Sequence, residues 1–262
     1  MAFTLGPRAT SAGYRLESFD QTGSTNSEAM VRARADERGP MWFVTTEQTA
    51  GRGRRQRPWI APRGNLASSV LETIDVAPAV AATLGFAAGL ALEAALRAVA
   101  GSASVGFSLK WPNDVLAGEA KLSGILLEAE TLPGGSLAVV VGMGTNIVAA
   151  PEGTPTPATS LAALGLKIGA EQLFTALSDS WVECRGIWDN GKGFGEIRRR
   201  WLVLAAGLGQ AVSVHTGQTV VSGIFDTLDD TGCMILRTSI GDRVSISAGD
   251  VHFGAAATAR VG

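Results

Sequence analysis

Apolar and polar residues alternate with period two from Tyr14 to Phe19, the pattern of a half-buried strand. Gly23-Ser-Thr-Asn26 follows, and Met30, Val31 and Ala35 then recur at helical spacing. Ser24 or Thr25 suits the N-cap of that helix, with Glu28 placed for a capping box. Met41 to Thr46 and Leu66 to Thr73 read as strands. Between them, from Gln48 to Asn65, the apolar pattern stops and a loop is expected. Pro78 to Val99 predicts one long Ala/Leu helix. Thr83, Glu93 and Arg97 interrupt its apolar run, so it reads as a buried helix and not a membrane span.

The strand at Val105 to Leu109 leads into Lys110-Trp-Pro-Asn-Asp114, and a polar turn at Ala117-Gly-Glu119 precedes Lys121. Ser123 to Ala129 and Leu137 to Gly142 read as paired strands. A Pro/Thr-rich loop covers Pro151 to Thr159, and helices are expected at Gly169 to Trp188 and Gly193 to Leu204. Trp181, Trp188 and Trp201 lie there at helical spacing and are expected in the core. After Gly207 the texture changes. Val212 to Thr216, Val220 to Asp226, Cys233 to Thr238 and Arg243 to Ser247 are short period-two strands separated by turn signals. Mixed strands and helices followed by strands alone predict an α+β domain over 1–206 and a small β module, a partly open barrel, over 207–262.

Composition narrows the function. The hydrophobic fraction of 46% in 262 residues supports a sizeable core. A formal net charge of -2 argues against a dedicated nucleic-acid binder. Cys184 and Cys233 form no CxxC pattern, which fits a reducing cytosol. The only histidines, His215 and His252, come late; they exclude a His-rich zinc site and read as ordinary barrel residues. Met1 to Ala12 shows no apolar h-region, so no signal peptide is visible.

Against that acidic background, Arg52, Arg54, Arg55 and Arg57 crowd into Gly51-Arg-Gly-Arg-Arg-Gln-Arg57, closed by Pro58-Trp59. Guanidinium forks match phosphate geometry. The loop should repel itself when empty, move freely, and order around a polyanion. Lys110, Asn113, Asp114 and Lys121 converge at strand ends. The lysines suit phosphate or carboxylate oxygens, and Asp114 suits Mg²⁺, which takes one or two carboxylates beside substrate phosphates. Gly124 and the Gly142-Met-Gly-Thr-Asn146 strand end would let a ligand approach the backbone. Gly186 to Lys192 satisfies most of a P-loop pattern, but Gly193 replaces Ser or Thr and the flanks are helical, so that reading fails.

Taken in order, Ser24-Thr25-Asn26, Gly51 to Trp59, Lys110 to Asp114, Lys121 to Glu128 and Gly142 to Asn146 resemble the biotin–protein ligases. That family's pattern runs STN, GRGRRGR-x-W, KWPND, K-x-x-GIL-x-E and GxGxN. The resemblance covers about Tyr14 to Phe253. It implies a mixed sheet flanked by helices, related to class II aminoacyl-tRNA synthetases, plus an SH3-like C-terminal domain. It implies MgATP-dependent formation of biotinyl-5′-adenylate, then transfer to a lysine of a biotin carboxyl carrier protein of acetyl-CoA carboxylase or a related carboxylase. A cytoplasmic enzyme with no membrane partner is implied.

By the match, Lys121 contacts the reacting carboxylate and phosphate oxygens and Arg54 holds both, while Asp114 assists Mg²⁺ or the incoming amine. Ser24, Thr25, Gln48 and Gly51 bind the ureido ring or its surroundings. Trp59 packs on adenine, with Asn113 and Asn146 near the nucleotide. Arg52, Arg55 and Arg57 draw in phosphates, and Asn26, Lys110, Gly124, Leu126, Gly142 and Gly144 complete the ligand-binding set. Two departures stand out. Gln56 replaces a loop glycine, reducing backbone freedom, and Pro58 precedes Trp59. Only about a dozen residues precede the first strand, so a winged helix-turn-helix and sequence-specific DNA binding are not expected. Oligomeric state is left open, a homodimer included. Lipoate–protein ligases and octanoyltransferases are the alternative, but they lack the GRGRR loop and KWPND in this form. A non-catalytic binding module is the other class, against which the intact Lys121, Asp114 and arginine cluster argue.

Overall fold

The computed structural model describes residues 2–103, 105–154, 156–217 and 219–254. The first half runs α1 (Pro7–Ser11), β1 (Arg15–Phe19), α2 (Thr25–Arg34), β2 (Met41–Thr45), β3 (Leu66–Ile74), α3 (Pro78–Ala82) and α4 (Leu84–Ala100). Then come β4 (Phe107–Lys110), β5 (Asp114–Ala117), β6 (Ala120–Thr131), β7 (Leu137–Thr145), α5 (Ala170–Trp188) and α6 (Phe194–Val203). The C-terminal part holds β8 (Ala211–Thr216), β9 (Thr219–Leu228), β10 (Met234–Arg237), β11 (Arg243–Ile246) and β12 (Asp250–Phe253).

Seven strands form one mixed sheet in the order β1-β2-β3-β7-β6-β5-β4. Only β1 and β2 are parallel, joined through α2 as a βαβ unit. Side chains alternate across a strand, and here both faces are covered. Trp42, Val70 and Val141 enter the large core with α4, α5 and α6. Their neighbours Phe43, Leu71 and Val140 pack on the opposite face with Ala29 and Ala33 of α2. Double coverage explains why β7 reads as a nearly continuous apolar run, and why β3 is buried along almost its whole length although it carries Ser68, Ser69, Glu72 and Thr73. Trp181, Trp188 and Trp201 are buried, as expected.

Three expectations change. The long helix breaks at Thr83, whose hydroxyl donates to the Val80 carbonyl at 2.6 Å and accepts the Trp188 indole N–H at 2.8 Å. Pro78–Ala100 is long and apolar enough to cross a membrane, but it is mostly buried within the core. The capping box does not form. Ser24 is the N-cap without a side-chain bond, and Glu28 accepts instead from the Thr22 hydroxyl at 2.6 Å. With Ser24 as cap, Glu28 falls one residue too late to reach back. Finally, the last strand, β12, was not anticipated.

The C-terminal strands form an open antiparallel ladder, β11-β10-β9-β8-β12. Its apolar face continues the large core through Val214, Phe225 and Leu236. Trp111 ties the two sheets together, donating its indole N–H to the Gly232 carbonyl at 3.0 Å. The tryptophan of the Lys110–Asp114 motif is thus a core residue, and its polar neighbours face elsewhere.

Candidate active site

A cavity of about 530 Å³ opens between the ends of β3, β5, β6 and β7, the arginine loop and β12. Of the site residues singled out above, all line it except Gly51 and Arg55.

The floor is a buried polar chain. Thr25 donates its backbone N–H and its hydroxyl to Gln48 Oε1 at 2.8 and 3.2 Å. Ser69 Oγ lies 2.7 Å from Thr25 Oγ1 and 2.6 Å from Asn26 Oδ1. Asn26 Nδ2 donates to the Leu126 carbonyl at 3.3 Å and to Glu128 Oε2 at 2.7 Å. Buried polar groups must be paired, and this floor is paired while still offering lone pairs and amide edges to a small polar ring.

The wall is glycine because other residues stand against it. A Cβ on Gly142 would lie 2.1 Å from Asn26 Oδ1. One on Gly144 would lie 2.6 Å from the Trp59 indole, and one on Gly124, its register partner, 3.2 Å from the same ring. Trp59 is therefore laid flat across two glycines. Gly51 supports it from behind: a Cβ there would meet the Trp59 carbonyl at 2.6 Å.

At the reacting end, Lys121 Nζ stands 2.7 Å from Asp114 Oδ1 and 5.5 Å from the Trp59 ring centroid. The ion pair is close but poorly angled, so that buried carboxylate oxygen has no aligned hydrogen-bond donor. Lys110 is 7% exposed, sits 5.3 Å from the Phe253 ring centroid, and has no other close partner among the described residues. Burial pushes its ammonium pKa down, Asp114 opposes this, and Lys121 adds to it. Lys110 is therefore a cation short of an anion.

The loop arginines are not a free, self-repelling coil. Arg52 donates to Ser27 Oγ at 2.9 Å and reaches Glu128 at 3.5 Å. Arg54 donates to Asn113 Oδ1 at 3.1 Å and to the Gly249 carbonyl at 3.5 Å. Burial lowers the Arg54 pKa and Asp250 acts against that, though a guanidinium stays charged at any physiological pH. Arg55 and Arg57 both donate to Asp250 Oδ2, at 3.1 and 2.7 Å. Arg55 and Gln56 adopt left-handed φ of 57° and 59°. Gln56 thus takes the conformation its absent glycine would favour.

The chain matches the model of the Biotin/lipoate A/B protein ligase family over residues 19–146 and that of the Biotin protein ligase C terminal domain over 207–254. It is 38% identical over 240 residues to the biotin–acetyl-CoA-carboxylase ligase of Paracoccus denitrificans, covering 89% of this chain and 98% of the relative. The chain belongs to the biotin–protein ligase family. A ligase of the same description from Mycobacterium tuberculosis is 37% identical over 246 residues, covering 92% of this chain and 90% of its own. In structure, the chain is similar to the biotin protein ligase from Aquifex aeolicus in complex with biotin and ATP. That likeness has a TM-score of 0.75 at 25% identity and covers 92% of this chain and 99% of the other.

Within this ligase fold the structure gives several residues partners that the sequence did not show. Asn146 lines the cleft, but its amide donates to the Thr159 carbonyl at 3.0 Å. Its neighbour Asn65 pins the strand exit, with Oδ1 accepting from the N–H groups of Ile147 and Val148, each at 2.9 Å. His252 is not an ordinary barrel residue. It lines the cleft, 4.5 Å from His215 by ring centroids, and burial, His215 and Lys110 lower its pKa. The sequence reading missed Ser69, Asn65 and Asp250. Ser69 carried a signal, since Ser68-Ser69 is a polar pair inside a buried strand. Asp250 carried none, being nearly two hundred residues from the loop it holds. The P-loop-like segment ends α5, and its Lys192 is exposed beside Asp189.

Proposed function

We propose that the cleft condenses biotin with ATP to give biotinyl-5′-adenylate, then passes the biotinyl group to a lysine on a biotin carboxyl carrier domain. The carrying observation is the juxtaposition of a polar, glycine-walled pocket with Lys121, Lys110 and Arg54 at its open end. In the first step a biotin carboxylate oxygen bonds to the α-phosphorus and pyrophosphate leaves. In the second the lysine amine bonds to the acyl carbon, loses a proton, and AMP leaves.

The Ser24-Thr25-Asn26 turn, Gln48 and Ser69 suit the ureido ring. Lys121 neutralises charge developing on carboxylate and phosphate oxygens, a preorganised cation in a partly dry site. Arg54 and Lys110 hold phosphates, and Arg52 and Arg57 close the rim. Trp59 covers the glycine wall and excludes water from the mixed anhydride. Asp114 suits the incoming amine. Its buried Oδ1, without an aligned donor, also suits Mg²⁺, which would neutralise phosphate charge while taking its other ligands from phosphates and water. We take 1–206 as the catalytic domain and 207–262 as the C-terminal domain, acting in the cytoplasm on the carrier of acetyl-CoA carboxylase or a related carboxylase.

Intact-mass measurement of an apo carrier domain with the protein and MgATP tests the reading, with biotin, lipoate or octanoate in parallel. A biotin-sized gain, lost without ATP, is expected in the biotin sample alone. Lipoyl or octanoyl transfer, or no transfer and no pyrophosphate, overturns it.

A further inference from the structure

We propose that Asp250 is a positioning residue that sets the arginine loop, so that the C-terminal sheet governs how long the adenylate is retained. This rests on the adenylation reading above. Two arginines flanking Gln56 converge on the single oxygen Asp250 Oδ2, Arg55 at 3.1 Å and Arg57 at 2.7 Å. The preceding residue, Gly249, offers its carbonyl to Arg54 at 3.5 Å. The start of β12 therefore gathers three of the four loop arginines, and the fourth, Arg52, is held from the other side by Ser27 and Glu128.

The platform beneath Asp250 is firm. Asp250 pairs with His215 in the β8–β12 ladder, and the next residue, Val251, is buried. Burial opposes the Asp250 charge, but the Arg57 hydrogen bond and the charges of Arg57, Arg55 and Arg54 prevail and hold its carboxyl below the usual range. The loop needs such an anchor. Its turn runs through two successive non-glycine residues at positive φ, a conformation they adopt only when their surroundings impose it. Its like charges also repel.

Asp250 could instead compete with phosphate for the arginines. The geometry favours positioning, because Arg55 does not line the cleft whereas Arg54 does. The carboxylate engages Arg55, outside the cleft, and Arg57, on its lining, and leaves Arg54 on Asn113, facing inward.

The test compares wild type, Asp250→Asn, Asp250→Glu and Arg55→Gln of the full chain. Readouts are adenylate formation by pyrophosphate release, adenylate dissociation, KM for ATP, biotin affinity and thermal midpoint. Asp250→Asn should release adenylate about tenfold faster and raise the ATP KM, since two partly exposed ion pairs are lost. Biotin affinity and the thermal midpoint should hold, and Asp250→Glu should recover most retention. Arg55→Gln should also leak, although Arg55 is outside the cleft, which keeps the proposal testable if Asp250→Asn folds poorly. A wild type that makes no adenylate defeats the adenylation reading itself. A competent wild type with unchanged retention in both Asp250→Asn and Arg55→Gln overturns the positioning role. Tighter ATP binding in Asp250→Asn also overturns it and makes the carboxylate a competitor.

Discussion

Lys121 Nζ and Asp114 Oδ1 stand 2.7 Å apart at the mouth of the cleft, close enough to attract but too poorly aligned for a hydrogen bond. The lysine is therefore held in place without being saturated. Lys121→Ala should lower the adenylation rate constant by about 10²–10³, the effect of deleting one preorganised donor to developing charge. Biotin affinity should change far less, and the Lys121→Arg variant should not restore the rate, since a planar fork does not replace a compact ammonium. Pre-steady-state pyrophosphate release with separate biotin titration measures the split. Equal loss of rate and of binding contradicts the role.

The glycine wall makes a steric prediction. Gly144→Ala would place a methyl group 2.6 Å from the Trp59 indole, which cannot stay flat on the sheet. Adenylate should then hydrolyse or escape faster. Gly142→Ala should weaken biotin binding instead, because its methyl group would meet Asn26 Oδ1 at 2.1 Å. Adenylate leakage and biotin titration on the two variants separate these effects, and reversed phenotypes would contradict the assignment.

Gln56 sits at φ 59° where the family pattern has glycine. Gln56→Gly should relieve up to about 1 kcal/mol of backbone strain, partly offset by the added freedom of the unfolded chain. A small rise or no change in denaturation midpoint is expected. A clear fall would show that the Gln56 side chain matters more than its backbone.

A buried network supports the sheet behind the site. Glu72 accepts from the Tyr14 hydroxyl at 2.6 Å, the Trp181 indole at 3.1 Å and Arg185 at 3.2 Å. Burial and then Glu72 push the Tyr14 phenol pKa upward. Glu72→Ala removes the shared acceptor, leaving Trp181 with only the Tyr14 hydroxyl at 3.0 Å and Arg185 with Asn190 at 2.9 Å, and should cost about 3 kcal/mol, whereas Glu72→Gln, which keeps an acceptor, should cost less. Urea unfolding decides, and equal costs would show that the acceptor contributes little.

Lys110 predicts a pH effect. Burial lowers its pKa from the ordinary 10.5, with Asp114 and Asp250 opposing and Lys121 assisting. Above the lowered value the cleft loses a positive charge, so the ATP KM should rise at alkaline pH, before an ordinary lysine would titrate. Between the lowered and ordinary values the unfolded chain binds more protons, so this group makes stability increase with pH there. Lys110→Met should raise the ATP KM at neutral pH and flatten its alkaline rise. An unchanged profile removes Lys110 from phosphate binding.

Much of this molecule was legible before its structure. Period-two and helical patterns placed most strands and the long helices, because each element's burial imprints its own periodicity. β5 and β12 were not read as strands, each offering only four residues next to a turn. The break at Thr83 escaped because it depends on Trp188, 105 residues away. The charged motifs were legible as chemistry, and nearly all of them do line one cleft.

The sequence alone determined the α+β order of elements, the apolar faces, and the residue types able to handle two anions, because these are properties of short windows. Tertiary structure decided the partners. It laid Trp59 on Gly124 and Gly144, joined Ser69 to the Ser24-Thr25-Asn26 turn, and set Asp250 under Arg55 and Arg57. Each of those contacts joins segments distant along the chain. Local pattern specifies which surface a residue offers, and only tertiary packing specifies what that surface meets.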